Sequence, residues 1–148
     1  ELNMSNEENQ DVESVNQETI TISEQDENMA SLLSVLATFE NAPDEITLES
    51  WRETYGKFFA SSVVGDDSIF VWRTLNRTEY KQMVNTGVIK NPMTYEEALV
   101  KRCMLWPKIT ADAMQTSDAG IVPTLAKQIL HKSGFVSEQM ALAMIKVI

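Results

Sequence analysis

The first fifty residues contain no lysine and no arginine, and this feature most limits how the chain can fold. They carry 13 of the 22 acidic residues. Residues 51–148 carry 9 acidic and 12 basic residues, which gives that part a net charge of +3. Residues 1–27 also offer too little apolar surface to offset the chain entropy lost on folding. We therefore expect an extended acidic arm over residues 1–28 and a compact domain over residues 29–148.

A few apolar residues in and after the arm are candidate anchors for a partner protein. The alternation Thr19-Ile20-Thr21-Ile22 suits a short strand that pairs with the edge of a sheet. Residues 29–40 carry an apolar stripe at helical spacing. Such an acidic arm is either a solvated tail or a segment that wraps a basic partner surface, and we favour wrapping. The predicted partner-binding residues here are Ile20, Ile22, Leu32, Leu36 and Phe39.

The beginning of the domain predicts two short helices and a β-hairpin. Asn41-Ala42-Pro43 ends the first helix, and a second helix runs from a cap at Thr47 to Gly56. Residues 58–64 and 68–74 are rich in aromatic and β-branched side chains, and Gly65-Asp66-Asp67 between them is typical of a turn. Two strands alone are marginal in water, so helices must pack on this hairpin.

The rest of the domain is predicted to be helical. Asn76 and Glu79 form a capping box for one helix, which ends at Asn85-Thr86-Gly87. Thr94 and Glu97 form a second capping box, for a helix that carries Leu105. Residues 108–120 are expected to be a loop or a short turn. Further helix boundaries are expected at Pro107, Pro123, Ser133-Gly134 and Ser137. The predicted fold is mainly α with a small β-hairpin, an α+β arrangement.

No combination of residues predicts a catalytic, cofactor or metal site. His131 is the only histidine and lies at a helix end, where a surface or capping role is favoured. Cys103 is the only cysteine and suits buried packing better than thiolate chemistry. Asp66-Asp67 fits turn chemistry better than a metal pair. The five glycines are spaced as element boundaries and form no phosphate-binding loop. We therefore expect a protein that is not an enzyme and has no cofactor.

Composition also limits the kinds of partner. A single cysteine allows no internal disulfide and favours a reducing compartment. No apolar run approaches the roughly 20 residues that span a bilayer, and no signal-peptide pattern opens the sequence, so no membrane role is expected. A net charge of +3 lacks the dense basic surface of a nucleic-acid binder, and the aromatic residues are not interleaved with a basic run. We expect no direct contact with nucleic acid.

The stretch from Trp51 to Phe135 contains a series of packing and capping motifs: Trp51-x-x-x-Tyr55-Gly56, Ile69-Phe70-Val71-Trp72-Arg73-Thr74-Leu75-Asn76-Arg77-x-Glu79-Tyr80, Glu96-Glu97, Cys103-Met104-Leu105-Trp106-Pro107, Ala119-Gly120-x-x-x-x-Leu125-Ala126 and Ser133-Gly134-Phe135. In these motifs the stretch resembles a family of tailed-bacteriophage virion structural or tail-assembly proteins. The resemblance covers about 85 of the 148 residues and excludes the acidic arm.

The resemblance implies a non-enzymatic structural or assembly protein that docks onto other phage structural proteins in a multi-copy complex. The tail, baseplate or neck region is the expected place, with the chain in the virion and, during assembly, in the host cytoplasm. The alternative is a regulatory binding protein whose acidic arm occupies a basic site on a host protein. The resemblance supplies no catalytic residues.

Two arginines in the motif flank a predicted strand-to-helix turn. Arg73 and Arg77 are spaced to bind a carboxylate and are predicted partner-binding residues. The carboxylate is either internal, at Glu79, Glu96 or Glu97, or belongs to the acidic arm of a neighbouring molecule. We favour an internal structural pair.

Overall fold

The computed structural model describes residues 24–63 and 67–148, which are mainly helical with a small antiparallel sheet. The predicted fold class is confirmed. The chain divides into two compact units, one that ends at Glu45 and one from Ile46 to Ile148. Residues 1–23 of the predicted arm, and Val64-Gly65-Asp66 of the predicted hairpin turn, lie outside the described residues.

The described part of the first unit consists of one helix and a turn. Helix α1 occupies residues 24–36, so it includes the last residues of the predicted extended arm. It ends before Asn41-Ala42-Pro43, because the chain turns from residue 37 onward through hydrogen bonds such as Phe39 N–H to the Leu36 carbonyl (3.0 Å). Asn41 has a φ of 57°, a left-handed conformation that asparagine tolerates better than most residues.

The second unit contains a sheet of three strands and six α-helices within the described residues. Helix α2 starts at Glu45, the last residue of the first unit, and its remaining residues belong to the second unit. The elements are α2 (Glu45–Tyr55), β1 (Phe59–Ser61), β2 (Phe70–Trp72), α3 (Arg77–Asn85), a 3₁₀ turn (Val88–Lys90), α4 (Pro92–Cys103), β3 (Met104–Trp106), α5 (Ala111–Thr116), α6 (Ile121–Lys132) and α7 (Glu138–Ala143).

Strands β1 and β2 pair antiparallel, which confirms the predicted hairpin pairing, although each strand is shorter than predicted. Phe59 lies opposite Trp72, and their rings stack with centroids 5.0 Å apart. The indole Nε1–H of Trp72 donates to Ser61 Oγ (2.8 Å), and that hydroxyl donates to Gln128 Oε1 on α6 (2.6 Å). These hydrogen bonds join helix α6 to the hairpin. A helix on the hairpin was expected, because two isolated strands are only marginally stable in water.

The third strand, β3, corrects the prediction that residues 104 and 105 continue a helix. Helix α4 ends at Cys103, and Met104–Trp106 pairs antiparallel with β2 at once, without an intervening loop. The run Cys103-Met104-Leu105-Trp106 is apolar throughout, and a short run of this kind fits helix and strand equally well by periodicity. A strand is favoured over a helix here because β2 has a free edge, and pairing with that edge satisfies backbone groups that a two-stranded hairpin leaves unpaired.

The core of the second unit lies between α4, α6 and the buried face of the sheet. Helices α4 and α6 pack against each other, and each contributes three of the best-buried residues. The fully or nearly fully buried residues of the two helices are Leu99, Val100, Cys103, Leu125, Ala126 and Ile129. Phe70 and Trp72 from β2 and Met83 from α3 complete the same cluster. The predicted buried packing role of Cys103 is confirmed.

Several predicted helix boundaries are confirmed and three are wrong. Asn76 caps α3, Ser137 caps α7, and Gly56 and Gly87 follow α2 and α3 with φ of 76°. Thr94 does not cap α4, since the Asn91 side chain accepts hydrogen bonds from Met93 N–H (3.0 Å) and Thr94 N–H (3.3 Å) one turn earlier. Thr47 does not cap α2, which begins at Glu45. The predicted loop 108–120 contains the six-residue helix α5, capped by Thr110.

Candidate functional site

A carboxylate at the start of α3 is the electrostatic centre of the second unit. The Asn76 side chain accepts from Glu79 N–H (2.9 Å), and Glu79 Oε1 accepts from Asn76 N–H (3.2 Å). This is the predicted capping box. It fixes the Glu79 carboxylate above the first turn of α3, where only 9% of the residue is exposed.

Two arginines neutralise Glu79. Arg73 binds it with both terminal nitrogens, Nη1 to Oε1 at 2.6 Å and Nη2 to Oε2 at 2.9 Å. Arg102, from the last turn of α4, donates from Nε to Oε2 at 2.9 Å and also hydrogen-bonds the Gln82 side chain. The result is an ion-pair cluster of Arg73, Glu79 and Arg102 that joins the β2–α3 connection to the end of α4.

The ion pair between Arg73 and Glu79 shifts the pKa of both groups. Burial opposes the charged form of Glu79, but the hydrogen bonds from Arg73 and from the Asn76 backbone, together with the charges of Arg73 and Arg102, outweigh it, so the pKa of Glu79 is lowered. The hydrogen bond to Glu79 likewise outweighs burial at Arg73 and raises the pKa of its guanidinium. Arg73 also donates to the carbonyl oxygens of Thr74 and Arg102 and lies 5.1 Å over the Tyr55 ring. The favoured prediction of an internal pair is confirmed for Arg73, with Glu79 as the partner.

A cleft of about 260 Å³ opens at the N-terminus of α3. It is formed where the start of α3 meets the end of α6. Its lining residues are Leu75, Asn76, Arg77, Tyr80, Ser133, Gly134 and Phe135. The Ser133 hydroxyl accepts from Leu75 N–H (2.9 Å) and donates to the Ile129 carbonyl (2.6 Å), which bonds the two elements together at the base of the cleft.

The aromatic wall of the cleft depends on how α6 ends. Gly134 has a φ of 95°, Gly134 N–H donates to the His131 carbonyl (3.2 Å) and Phe135 N–H donates to the Leu130 carbonyl (3.0 Å). This pair of bonds is a Schellman motif, which reverses the chain after a helix. The reversal places the Phe135 ring against Tyr80, with centroids 5.1 Å apart.

Arg77 provides the cation of the cleft. Its guanidinium lies 5.5 Å from the centre of the Tyr80 ring, a cation–π contact. Within residues 24–63 and 67–148, Arg77 forms no ion pair, whereas Arg73 and Arg102 both bind Glu79. The cleft therefore combines a cation with an apolar aromatic wall, an arrangement suited to a segment that carries a carboxylate and an apolar side chain.

The predicted partner-binding residues that the structure describes have different environments. Ile20 and Ile22 lie outside the described residues. Leu32 is partly buried, Leu36 is buried, and Phe39 is exposed in the turn after α1. Of the two arginines, Arg73 is held inside the ion-pair cluster and Arg77 lines the cleft.

Sequence reasoning missed Arg102 as a partner of Glu79, and it missed the cleft as a whole. The cleft residues Tyr80 and Phe135 were present in the quoted motifs, but 55 positions separate them and no periodicity links them. In the sequence, Ser133-Gly134 predicted only the end of a helix. The same pair of residues also indicates that the chain turns back after the helix and brings the following aromatic residue onto the fold.

The single cysteine and the single histidine of the chain lie in different environments. Cys103 is buried, and burial raises the pKa of its thiol to about 11. His131 is exposed at the end of α6. No cluster of three or more His, Cys, Asp or Glu residues suitable for a metal ion occurs among residues 24–63 and 67–148. No helix in these ranges is long and apolar enough to cross a bilayer.

No protein-family model matches the chain, and searches of the curated proteins and of the solved structures gave no significant match. The resemblance to tailed-bacteriophage structural proteins stays a prediction.

Proposed function

We propose that this protein is a non-enzymatic structural or assembly subunit of a tailed-bacteriophage particle, in the tail, baseplate or neck region. It acts by docking onto other phage structural proteins in a multi-copy complex, in the virion and, during assembly, in the host cytoplasm. The phage assignment is supported by the resemblance over residues 51–135. The docking mode is supported by one structural observation, the exposed apolar side chains of residues 138–148, which we call the C-terminal apolar segment.

The C-terminal apolar segment contains a helix with no buried residue. Helix α7 spans only six residues, and no side chain of it is buried. Leu142 is 61% exposed and Ile145 is 72% exposed. Six residues are too few for a helix to be stable by itself in water, so packing against something else must supply the stability.

Contact with a partner would supply that packing. Covering one large apolar side chain completely is worth about 1.5–3 kcal/mol. The exposed apolar side chains of the segment are Met140, Leu142, Met144, Ile145, Val147 and Ile148. Two of them are methionines, whose unbranched and polarisable side chains adapt to irregular partner surfaces. A contiguous exposed patch of this kind is typical of a protein–protein interface.

The proposal is tested on particles purified from the infected host that produces this chain. Quantitative mass spectrometry is expected to find the chain in the particles at a fixed copy number. Absence from particles, combined with a requirement for their assembly, would assign an assembly role instead of a structural one. Absence from particles without such a requirement overturns the proposal.

A matched pair of variants tests the segment itself. Leu142→Glu with Ile145→Glu adds charge to exposed positions, so it leaves folding unchanged but is expected to abolish incorporation. Ala119→Glu adds the same kind of charge to an exposed residue between α5 and α6 and should incorporate normally. Thermal unfolding by circular dichroism checks that both variants are folded. Normal incorporation of the double variant would show that the segment is not the docking surface.

A further inference from the structure

The cleft between α3 and α6 contains a cation that the described part of the fold does not pair. Arg73 and Arg102 both form ion pairs with Glu79, while the Arg77 guanidinium lies over the Tyr80 ring and forms no ion pair among the described residues. Next to it, Tyr80 and Phe135 form an apolar wall. A ligand for this cleft needs a negative charge and an apolar side chain a few ångströms apart.

The acidic arm contains a segment with this spacing. Glu18, Ile20 and Ile22 alternate with polar residues. In an extended segment, residues two apart point to the same side and lie roughly 6.6–6.8 Å apart. The carboxylate of Glu18 and the side chain of Ile20 would therefore face the same surface, with Ile22 one step further along.

We propose that the cleft binds residues 18–22 of a second copy of this chain. The Glu18 carboxylate pairs with Arg77, and Ile20 packs against Tyr80 and Phe135. The inference goes beyond the docking part of the proposed function, which uses the C-terminal apolar segment, and it does not depend on the phage assignment.

Charge complementarity favours the acidic arm as the source of the segment, and an arm bound within its own molecule would leave the wild type monomeric in the test below. Residues 1–23 contain six acidic and no basic residues, whereas residues 51–148 have a net charge of +3. Every copy therefore offers both an anionic arm and a cationic cleft. Because the two contact surfaces differ, one copy binds the next in a head-to-tail manner, which generates rings or longer arrays rather than only pairs.

A charge-swap experiment on the full chain tests this contact. Sedimentation equilibrium over a range of concentrations measures self-association of the wild type, Arg77→Glu, Glu18→Lys and the double variant. Each single variant is expected to weaken association about tenfold, which corresponds to about 1.4 kcal/mol. The double variant restores the pair with reversed charges and should return to within about threefold of the wild-type constant.

Control variants separate a specific pair from a general charge effect. Lys81→Glu repeats the charge change of Arg77→Glu at an exposed residue of α3 outside the cleft, and Glu13→Lys repeats that of Glu18→Lys elsewhere in the arm. Both are expected to change the association constant by less than about threefold. Because Phe135 also packs against Tyr80, the apolar half of the contact is tested from the arm with Ile20→Asn, which should weaken association as much as Glu18→Lys.

Three results would overturn the inference: a wild-type chain that stays monomeric, single variants that associate like the wild type, or a double variant that is not restored. A chain that associates only through the C-terminal apolar segment would give the second result. That outcome removes the arm–cleft contact and leaves the proposed function intact. Absence of the chain from particles, without a requirement for their assembly, removes the phage assignment and leaves the arm–cleft contact intact.

Discussion

Helices α6 and α7 follow each other in the chain, and they differ both in how they are capped and in how many of their side chains are buried. Helix α6 has no side-chain cap at Gly120, yet five of its residues are buried. Helix α7 has a good cap, with Ser137 Oγ accepting from Met140 N–H at 3.2 Å, yet none of its residues is buried. The comparison shows that a cap sets where a helix begins, whereas burial of an apolar face decides whether the helix contributes to the fold.

The largest expected effect comes from truncating the buried face of α6. Leu125→Ala removes a fully buried side chain from the contact with α4 and should lower the free energy of unfolding by about 2–5 kcal/mol. Leu142→Ala makes the same chemical change on α7 and should cost less than about 0.5 kcal/mol. Urea unfolding of both variants measures the difference. Equal losses would show that α7 packs on the fold in solution.

The second-largest effect on stability is expected from the ion-pair cluster. Glu79→Gln removes the charge that Arg73 and Arg102 share, and should cost about 1.5–3 kcal/mol at neutral pH. The pKa of Glu79 is lower in the folded chain than the roughly 4.3 of an unfolded one. Its ionised form therefore stabilises the fold above about pH 4.3, and that stabilisation is lost as the pH falls through the folded pKa.

The matched control for the cluster is Glu96→Gln on α4. Glu96 is in no ion pair within the described residues, so the same loss of charge should leave the stability near that of the wild type. Urea unfolding from neutral pH down to about pH 3 compares the two variants. If wild type and Glu79→Gln lose stability in parallel over that range, the cluster does not account for the acid sensitivity.

The end of α6 provides the third test. Gly134 has a φ of 95°, and an alanine there should cost about 1–2 kcal/mol because its Cβ crowds the backbone in this conformation. Gly120, at the start of the same helix, has a φ of −85° and open space around it. Gly120→Ala should be neutral or stabilising by up to about 1 kcal/mol. Thermal unfolding of the pair tests whether the Schellman turn holds Phe135 against Tyr80.

The smallest expected effects come from the caps themselves. Asn76→Ala removes the cap of α3, which packs on the core through Met83, and should cost about 1 kcal/mol. Ser137→Ala removes the cap of α7 and should change the free energy of global unfolding by less than about 0.5 kcal/mol. Hydrogen exchange is expected to show faster exchange in α7 alone for Ser137→Ala. A global loss equal to that of Asn76→Ala would contradict the contrast between the two helices.

Local sequence signals predicted at least one end of most helices in the second unit. The capping box at Asn76 and Glu79, the cap at Ser137 and the glycines after α2 and α3 act within one helical turn, so their chemistry is visible in a few neighbouring residues. The same kind of reasoning failed at Thr94, because Asn91 lies one turn earlier and competes for the same backbone donors. Where two caps compete, the local sequence alone does not rank them.

The sequence predicted only part of the candidate site. The motif around Arg73 and Arg77 indicated a carboxylate partner, and the structure supplies Glu79 for Arg73. Arg102 and Phe135 reach the site from the ends of α4 and α6, and their positions depend on how those two helices cross. That crossing is set by the packing of many side chains, which no short window of sequence contains.

By itself the sequence determined the charge division of the chain, the mainly helical fold class, the hairpin and the local ends of most helices. These follow from composition and from interactions between residues a few positions apart. Only the tertiary structure decided that residues 104–106 form a third strand. It also decided that Arg73 forms an ion pair with Glu79 while Arg77 faces a cleft, and that α6 is buried while α7 is exposed. The physical reason is that partners distant in sequence fix these outcomes, through backbone pairing, ion pairing and burial of apolar surface.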